Sequence, residues 1–316
     1  MVSSSSFYDA QQFIVNDVAE LLTLCSRLRE GDPLSPYRII VKSSLNEEII
    51  KFPFSNFLIE AAEGPVVITG SLYAKMKDEK GEELTTWKTA TMKVTGSHNV
   101  FIGLEIRNEA GDPGSKGQEV ALGIYGDDNL FLNCRFSSTQ DTLFVGPLSR
   151  DLQERYKGFL PDDERECPHE LTNYFSSCRI EGSVDFIFGA GNAFFDRCEI
   201  VSVDDGRKEG YVAAPSTEQE NPGGFFFLEC EFVSAIKEPL IYLARPWRDY
   251  GKAVFASCHY GDHIKKEGFS EWCDLQRKNT CRFSEWPLTK GRAAWAREAD
   301  VPSIKEAYAK VAQRLK

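Results

Sequence analysis

The chain lacks any apolar run long enough to cross a bilayer. Its first ten residues, MVSSSSFYDA, have neither the basic region nor the apolar core of a secretory leader, so a cytoplasmic location away from membranes is expected. It lacks a cationic surplus as well. The formal net charge is −11, and a phosphate-binding face needs clustered Lys and Arg, so nucleic acid is not an expected partner. A polyanionic ligand would be repelled too, and a neutralised one, such as an ester, less so. There is no glycine-rich phosphate loop and no Ser-His-Asp arrangement. The cysteines do not suggest a disulfide framework: there are nine, an odd number, and five recur at one position of a repeat, which suits small inward-facing hydrophobes in a reducing compartment.

That repeat is the chain's main internal order. An aromatic residue, two residues, a small apolar residue, one residue, and then Ile, Phe or Tyr recur six times. The copies are Phe101–Leu104–Ile106, Phe131–Cys134–Phe136, Phe175–Cys178–Ile180, Phe195–Cys198–Ile200, Phe227–Cys230–Phe232 and Phe255–Cys258–Tyr260. Their centres are 30, 44, 20, 32 and 28 residues apart, a period with insertions that suggests a solenoid. Most units carry a second β-rich segment before the phrase, such as VALGIY, GYVAA or LIYLA. Strand, loop, strand, loop is what one coil of a parallel β-helix requires. An antiparallel sandwich is the competing fold, but hairpins do not demand repeated identities at matching positions. The expected architecture is therefore one all-β, right-handed parallel β-helix domain over residues 1–316. Asn133 and Asn192 are expected turn formers near strand ends.

Helical spacing over residues 9–28 predicts an N-terminal helix, and Ser303-x-x-Glu306 opens a predicted helix over 303–315 as a capping box. Both are candidates to cover the open ends of a solenoid. The 44-residue spacing holds an insertion, roughly 146–172, rich in Pro, Asp and Glu. It directly follows Asp141 and is expected to form a loop beside whatever site that residue serves.

Asp141 lies seven residues after Cys134, and Asp185 seven after Cys178. Adjacent parallel strands are about 4.8 Å apart, so the two carboxylates would be neighbours on successive coils. Neighbouring carboxylates cannot both ionise freely, and one is then suited to donate a proton while the other acts as base or nucleophile. Spacing alone does not choose between this and structural aspartates in turns. Asp205 shares the offset from Cys198, yet it sits in the polar stretch VSVDDGRKEG and reads as a solvated turn. Asp185 precedes FIFG and Asp141 precedes TLF, apolar runs that would desolvate them.

Four local words narrow the choice: GQEVAL (117–122), QDTLF (140–144), VDFIFG (184–189) and YLARPW (242–247). In this order and at these separations the chain resembles the pectinesterases, carbohydrate esterases built on a right-handed parallel β-helix, over roughly residues 74–268. The resemblance implies that Asp185 is the nucleophile and Asp141 the acid and then the base. It implies that Gln140 and Gln118 donate to an oxyanion, and that Arg245, Trp247 and, less directly, Thr86 meet substrate. Phe188 is a candidate for the groove wall, with core packing the alternative, as it is for Trp247. Arg245 has the alternative of a structural ion pair. Glu119 and Ala244 stand where the family usually has a small residue and a glycine.

The implied reaction is hydrolysis of methyl esters on galacturonate units of pectin or oligogalacturonides. A β-helix glycosidase and a non-catalytic polysaccharide-binding module remain the alternatives. His259 and His263 have a spacing that can hold zinc on a helix, but here they fall on a rung and its following turn. No metal or cofactor is expected, and the chain is expected to act as a monomer.

Overall fold

The computed structural model describes residues 11–316 apart from 30, 32–35, 43, 47, 48, 63, 65, 112, 169 and 273. Three parallel sheets of eleven, seven and eight strands wind together as a right-handed parallel β-helix. Seven central coils each give one strand to each sheet, so the sequence period becomes one turn of the solenoid.

The repeated phrase bridges two of these sheets. Its aromatic lies on the eleven-stranded sheet and its last residue on the eight-stranded sheet, as with Phe131 on Leu130–Leu132 and Phe136 on Arg135–Ser137. Between the two strands one residue takes a left-handed conformation: Gly103, Asn133, Ser177, Arg197, Glu229 and Ser257, with φ of 48° to 71°. Only one of the six is glycine, although side chains disfavour this region. What repays the strain is continuity of the hydrogen-bond ladder around the corner. The N–H of each of these residues donates to a carbonyl of the next coil, from Gly103 to Leu132 at 3.0 Å through to Ser257 to Trp286 at 2.8 Å. Asn133 is thus a turn former as expected. Asn192 is not: it begins the strand Asn192–Asp196, and its side-chain oxygen accepts from the Gly224 N–H and the Asn221 amide.

Inside, the phrase aromatics form one column. Phe101, Phe131, Phe175, Phe195, Phe227 and Phe255 stack with centroids 4.7–5.0 Å apart, each essentially without solvent exposure. The column of thiols stands beside it. Cys134, Cys178, Cys198, Cys230 and Cys258 each donate to the carbonyl of the phenylalanine one coil earlier, at 3.2–3.5 Å. The eight cysteines among the described residues are all free. An asparagine ladder, which the sequence reading overlooks, adds a third column. Asn99, Asn129 and Asn173 are fully buried, and each amide reaches the next at 3.0–3.2 Å. The signal was present in the sequence: an asparagine two residues before the aromatic in three successive copies.

The terminal helices differ from expectation. At the N-terminal end, Gln12–Val15 is a strand paired in parallel with Tyr37–Val41, and the helix is only Val18–Leu28. Asp17 stops the strand and caps the helix by accepting the Glu20 N–H at 2.8 Å. Val18, Leu21 and Cys25 close that end of the core. Residues 9 and 10 of the predicted helix lie outside the described residues. At the other terminus the helix spans Val301–Arg314, and its cap is Asp300, not Ser303, which donates its own N–H to the Asp300 carboxylate at 3.0 Å. This helix is no end cap. Ile304, Ala307 and Val311 lie against Phe194, Phe226 and Val254 on the outer face of the eleven-stranded sheet, and Arg314 reaches back to Asp128 at 2.8 Å.

If the phenylalanine column is the main source of cohesion, Phe195→Ala should cost ~3–5 kcal/mol in urea unfolding. A loss below about 1 kcal/mol would mean that the column contributes little.

Candidate active site

The seven-stranded sheet carries the site on three successive coils. Gln118 precedes the strand Leu122–Ile124, Gln140 and Asp141 precede Leu143–Val145, and Asp185 lies within Val184–Gly189. Registration is tight: Leu122 pairs with Leu143, and Leu143 with Ile187. Asp141 and Asp185 both adopt left-handed φ values, 64° and 50°. At Asp185 the register with the following strand shifts between Val184 and Ile187. This bulge breaks the inward–outward alternation. Phe186 and Ile187, adjacent in sequence, both face the core, while Asp185 and Phe188 line a cleft. Gly182 makes room for it, since a Cβ there would sit 2.2 Å from the Phe186 Cβ.

The cleft has a volume of about 220 Å³, and its lining includes every site residue expected from sequence: Thr86, Gln118, Gln140, Asp141, Asp185, Phe188, Arg245 and Trp247. Three further residues join them, Trp87, Ala214 and Trp272. Asp205 is not among them, because six extra residues before the next strand leave it in a loop.

Arg245 follows the strand Ile241–Ala244 and grips Asp185 in two places, Nε to Oδ1 at 2.8 Å and Nη2 to Oδ2 at 2.5 Å. The guanidinium is sandwiched between the Tyr211 ring, 3.8 Å to the centroid, and the Trp272 ring, 3.6 Å. Neither aromatic falls in a motif word, which is why sequence reading missed them. The flat, delocalised cation fits this stack and a bidentate carboxylate at once, and lysine would satisfy neither.

Both carboxyls are nearly buried, Asp141 8% and Asp185 7% exposed. For Asp141, burial is the largest influence and repulsion from Asp185 the second; they push its carboxyl well above the ordinary value, against a weaker pull from Arg245, Gln140 and Arg207. Asp185 is also raised by burial, but its hydrogen bonds and charge contact with Arg245 oppose this. Both carboxyls are thus raised, Asp141 further than Asp185, so Asp185 is the one of the pair that ionises more readily.

The expected insertion is present as two short helices, Arg150–Arg155 and Asp162–Arg165, in place of an irregular loop. Leu148, Leu152 and Leu160 pack beside Trp87, Phe144 and Phe188, and Tyr156 meets Trp87 edge-on at 5.6 Å. Glu164, 3% exposed, fastens the insertion to the coils through Lys93 at 2.7 Å and Lys51 at 3.1 Å. Phe188 therefore has both of its proposed roles, wall and core. Trp247 is half-buried, with rings 6.2 Å from Trp87 and 5.9 Å from Phe188. Glu119 points away from the cleft chemistry: it is fully buried, accepts the Gly111 N–H at 3.2 Å, and its carboxyl is pushed up chiefly by burial. His259 is exposed and His263 is buried, and no group of three His, Cys, Asp or Glu with metal-binding geometry occurs among the described residues.

Fold and cleft together define a parallel β-helix protein with a paired-aspartate, arginine-clamped site. The pectinesterase family model matches residues 29–151 and 167–312, and the chain belongs to that family. The unmatched stretch, 152–166, falls inside the insertion. Pectinesterase QRT1 of Arabidopsis thaliana is 31% identical over 248 residues, 77% of this chain and 57% of that protein. A second Arabidopsis relative is covered over 34% of its length, so the chain spans from about a third to just over half of these curated relatives. The pectin methylesterase PemA from Erwinia chrysanthemi shares the fold with a TM-score of 0.71 at 21% identity, over 96% of both chains. A pectin methylesterase solved with a hexasaccharide gives a TM-score of 0.72, also at 21% identity and over 96% of both chains.

The raised Asp141 carboxyl has a consequence for stability. A carboxyl whose folded-state pKa lies above its unfolded one stabilises the fold at low pH, and that stabilisation is lost as pH rises from the ordinary carboxylate value through the folded one. Asp141→Asn removes the group that loses its proton. The variant's unfolding free energy should therefore match wild type near the ordinary carboxylate pKa and exceed it increasingly as pH rises toward the folded-state value, by roughly 1.4 kcal/mol for each unit of upward displacement. A difference independent of pH would mean that the Asp141 pKa is not raised.

Proposed function

We propose that the protein hydrolyses methyl esters of galacturonate units in pectin or oligogalacturonides and releases methanol. The observation that carries this reading is the asymmetric carboxyl pair: Asp185 clamped by Arg245, beside an unclamped Asp141 whose carboxyl is pushed well above its ordinary value by burial and by Asp185. Membership of the pectinesterase family supports the same assignment.

In this mechanism Asp185 attacks the C6 carbonyl of the ester and forms an acyl-enzyme. Charge gathers on the carbonyl oxygen, where the neutral NH₂ groups of Gln118 and Gln140 stabilise it without competing for Asp185. Asp141 gives its proton to the leaving methoxide. The resulting carboxylate then draws a proton from the water that opens the anhydride, and Asp185 and Asp141 return to their starting states. Arg245 keeps the nucleophile ionised in a site dry enough to suppress ionisation. Trp247 and Trp272 line the cleft and offer aromatic surface to sugar rings. The hexasaccharide held by a solved neighbour is consistent with an extended carbohydrate ligand for this fold. The chain's own negative charge favours esterified stretches over de-esterified, anionic ones.

Incubation with highly methylated pectin and with methylated oligogalacturonides tests the proposal, with methanol and new reducing ends measured together. Methanol without new reducing ends is expected. New reducing ends would indicate glycosidic cleavage, and neither product would leave a binding module. Asp185→Ala should abolish methanol release with the fold intact, and residual activity above ~10⁻³ of wild type would contradict its role as nucleophile.

A further inference from the structure

The third aspartate of the shared offset is absent from the cleft, yet it is connected to it. Asp205 sits in the loop between the strands Glu199–Ser202 and Gly210–Pro215. Its Oδ1 accepts the Arg207 N–H at 3.1 Å, and its Oδ2 lies 3.3 Å from the Arg207 Nε. The same Oδ2 is 2.6 Å from the Ser183 hydroxyl, which also lies 2.8 Å from the carbonyl of Thr139, the residue before Gln140. The far end of the guanidinium, Nη2, donates to Gln140 Oε1 at 2.9 Å. Asp205, Arg207 and Gln140 therefore form a chain from the loop to the cleft, anchored on Ser183.

We propose that Arg207, held by Asp205, is a positioning residue that fixes the orientation of the Gln140 amide for ester hydrolysis, an inference that rests on the reading of the cleft as an esterase site. The two ends of a primary amide have nearly the same shape and opposite polarity. With NH₂ toward the substrate Gln140 donates to the developing oxyanion; flipped, it presents an oxygen and repels it. Arginine has donors and no acceptor, so it can accept only one of the two orientations. With Oε1 engaged, the NH₂ end is left for the cleft, and donation into the carbonyl end polarises the amide toward stronger donation at its nitrogen.

Stability alone does not account for this arrangement. The Arg207 side chain is 29% and the Asp205 side chain 8% exposed, and the cost of desolvating Asp205 offsets part of the attraction between them. Orientation of an oxyanion donor is a larger effect, since loss of one such donor costs on the order of 10²–10³ in kcat. A partly misdirected donor should cost about a tenth of that factor, roughly 10- to 100-fold.

The test compares Arg207→Met, which keeps the stem and removes the donors, with Arg207→Lys, which retains one donor, and with Asp205→Asn, which frees the guanidinium. Wild-type methanol release from methylated pectin is measured first, because it reports on the esterase function independently of Arg207. Arg207→Met should lower kcat about 10-fold or more with KM within about twofold, Arg207→Lys should recover part of the loss, and Asp205→Asn should lose less than Arg207→Met. In a Gln140→Ala background Arg207→Met should add nothing, whereas a structural role elsewhere would give multiplied losses. Crystals of Arg207→Met should show the Gln140 amide rotated or in two orientations. An amide unmoved in that crystal, or multiplied losses in the double variant, would overturn the inference. The crystal result decides it even if wild type proves not to release methanol.

Discussion

Coil-to-coil registration is the constraint from which the rest follows. Each strand must align with its neighbours on both sides, so a side chain's height in the solenoid is set to within one inter-strand step. The phenylalanine column, the thiols that donate to it and the buried asparagine ladder enforce that alignment from inside. The left-handed corner residues enforce it from the edge, because their N–H groups carry the ladder past the turn. A slip by one residue would bury the outward set, so the register is strongly specified. The cleft uses this precision: residues far apart in sequence, from Gln118 to Arg245, converge only because five successive coils hold them at fixed heights.

The same stacking that assembles the cleft creates its electrostatic problem. Two carboxyls on adjacent coils, shielded from water, resist ionisation. A single cation bound to one of them resolves this unequally. Arg245 donates twice to Asp185, and its own position is set by the Tyr211 and Trp272 rings on its two faces. The backbone contributes as well. Asp141 and Asp185 both occupy the left-handed region, and the Asp185 bulge turns its side chain outward between core residues. Such backbone costs persist where surrounding structure over-determines them, and here Gly182 and the packed Phe186 do so.

How far the sequence could reveal this depended on the range of the interactions. The solenoid was legible because its core is periodic: aromatics and cysteines recur at equivalent positions on successive coils. Both aspartates, both glutamines and Arg245 were legible because each lies in a compact local word. Trp272, Tyr211 and Arg207 were not, because each acts through a partner distant in sequence and none falls in the repeated phrase or in one of the four local words. Asp205 shows the limit of register as a guide. It has the shared offset, but the added loop after its rung removes it from the sheet that bears the cleft. The helix ends failed for a local reason. Gln12–Val15 alternates and pairs as an edge strand, and Asp300 took the cap assigned to Ser303 because its carboxylate reaches the helix N–H groups first.

The proposed division of roles rests on Arg245 making Asp185 the more readily ionised of two buried carboxyls. Carbon-13 NMR of aspartate-labelled protein measures this directly, with the two carboxyl signals assigned by Asp141→Asn and Asp185→Asn. As pH rises, Asp185 should lose its proton first and Asp141 last, with Asp141 titrating well above the ordinary carboxylate range. Titration of both near the ordinary value, or loss of the Asp141 proton before that of Asp185, would contradict the account.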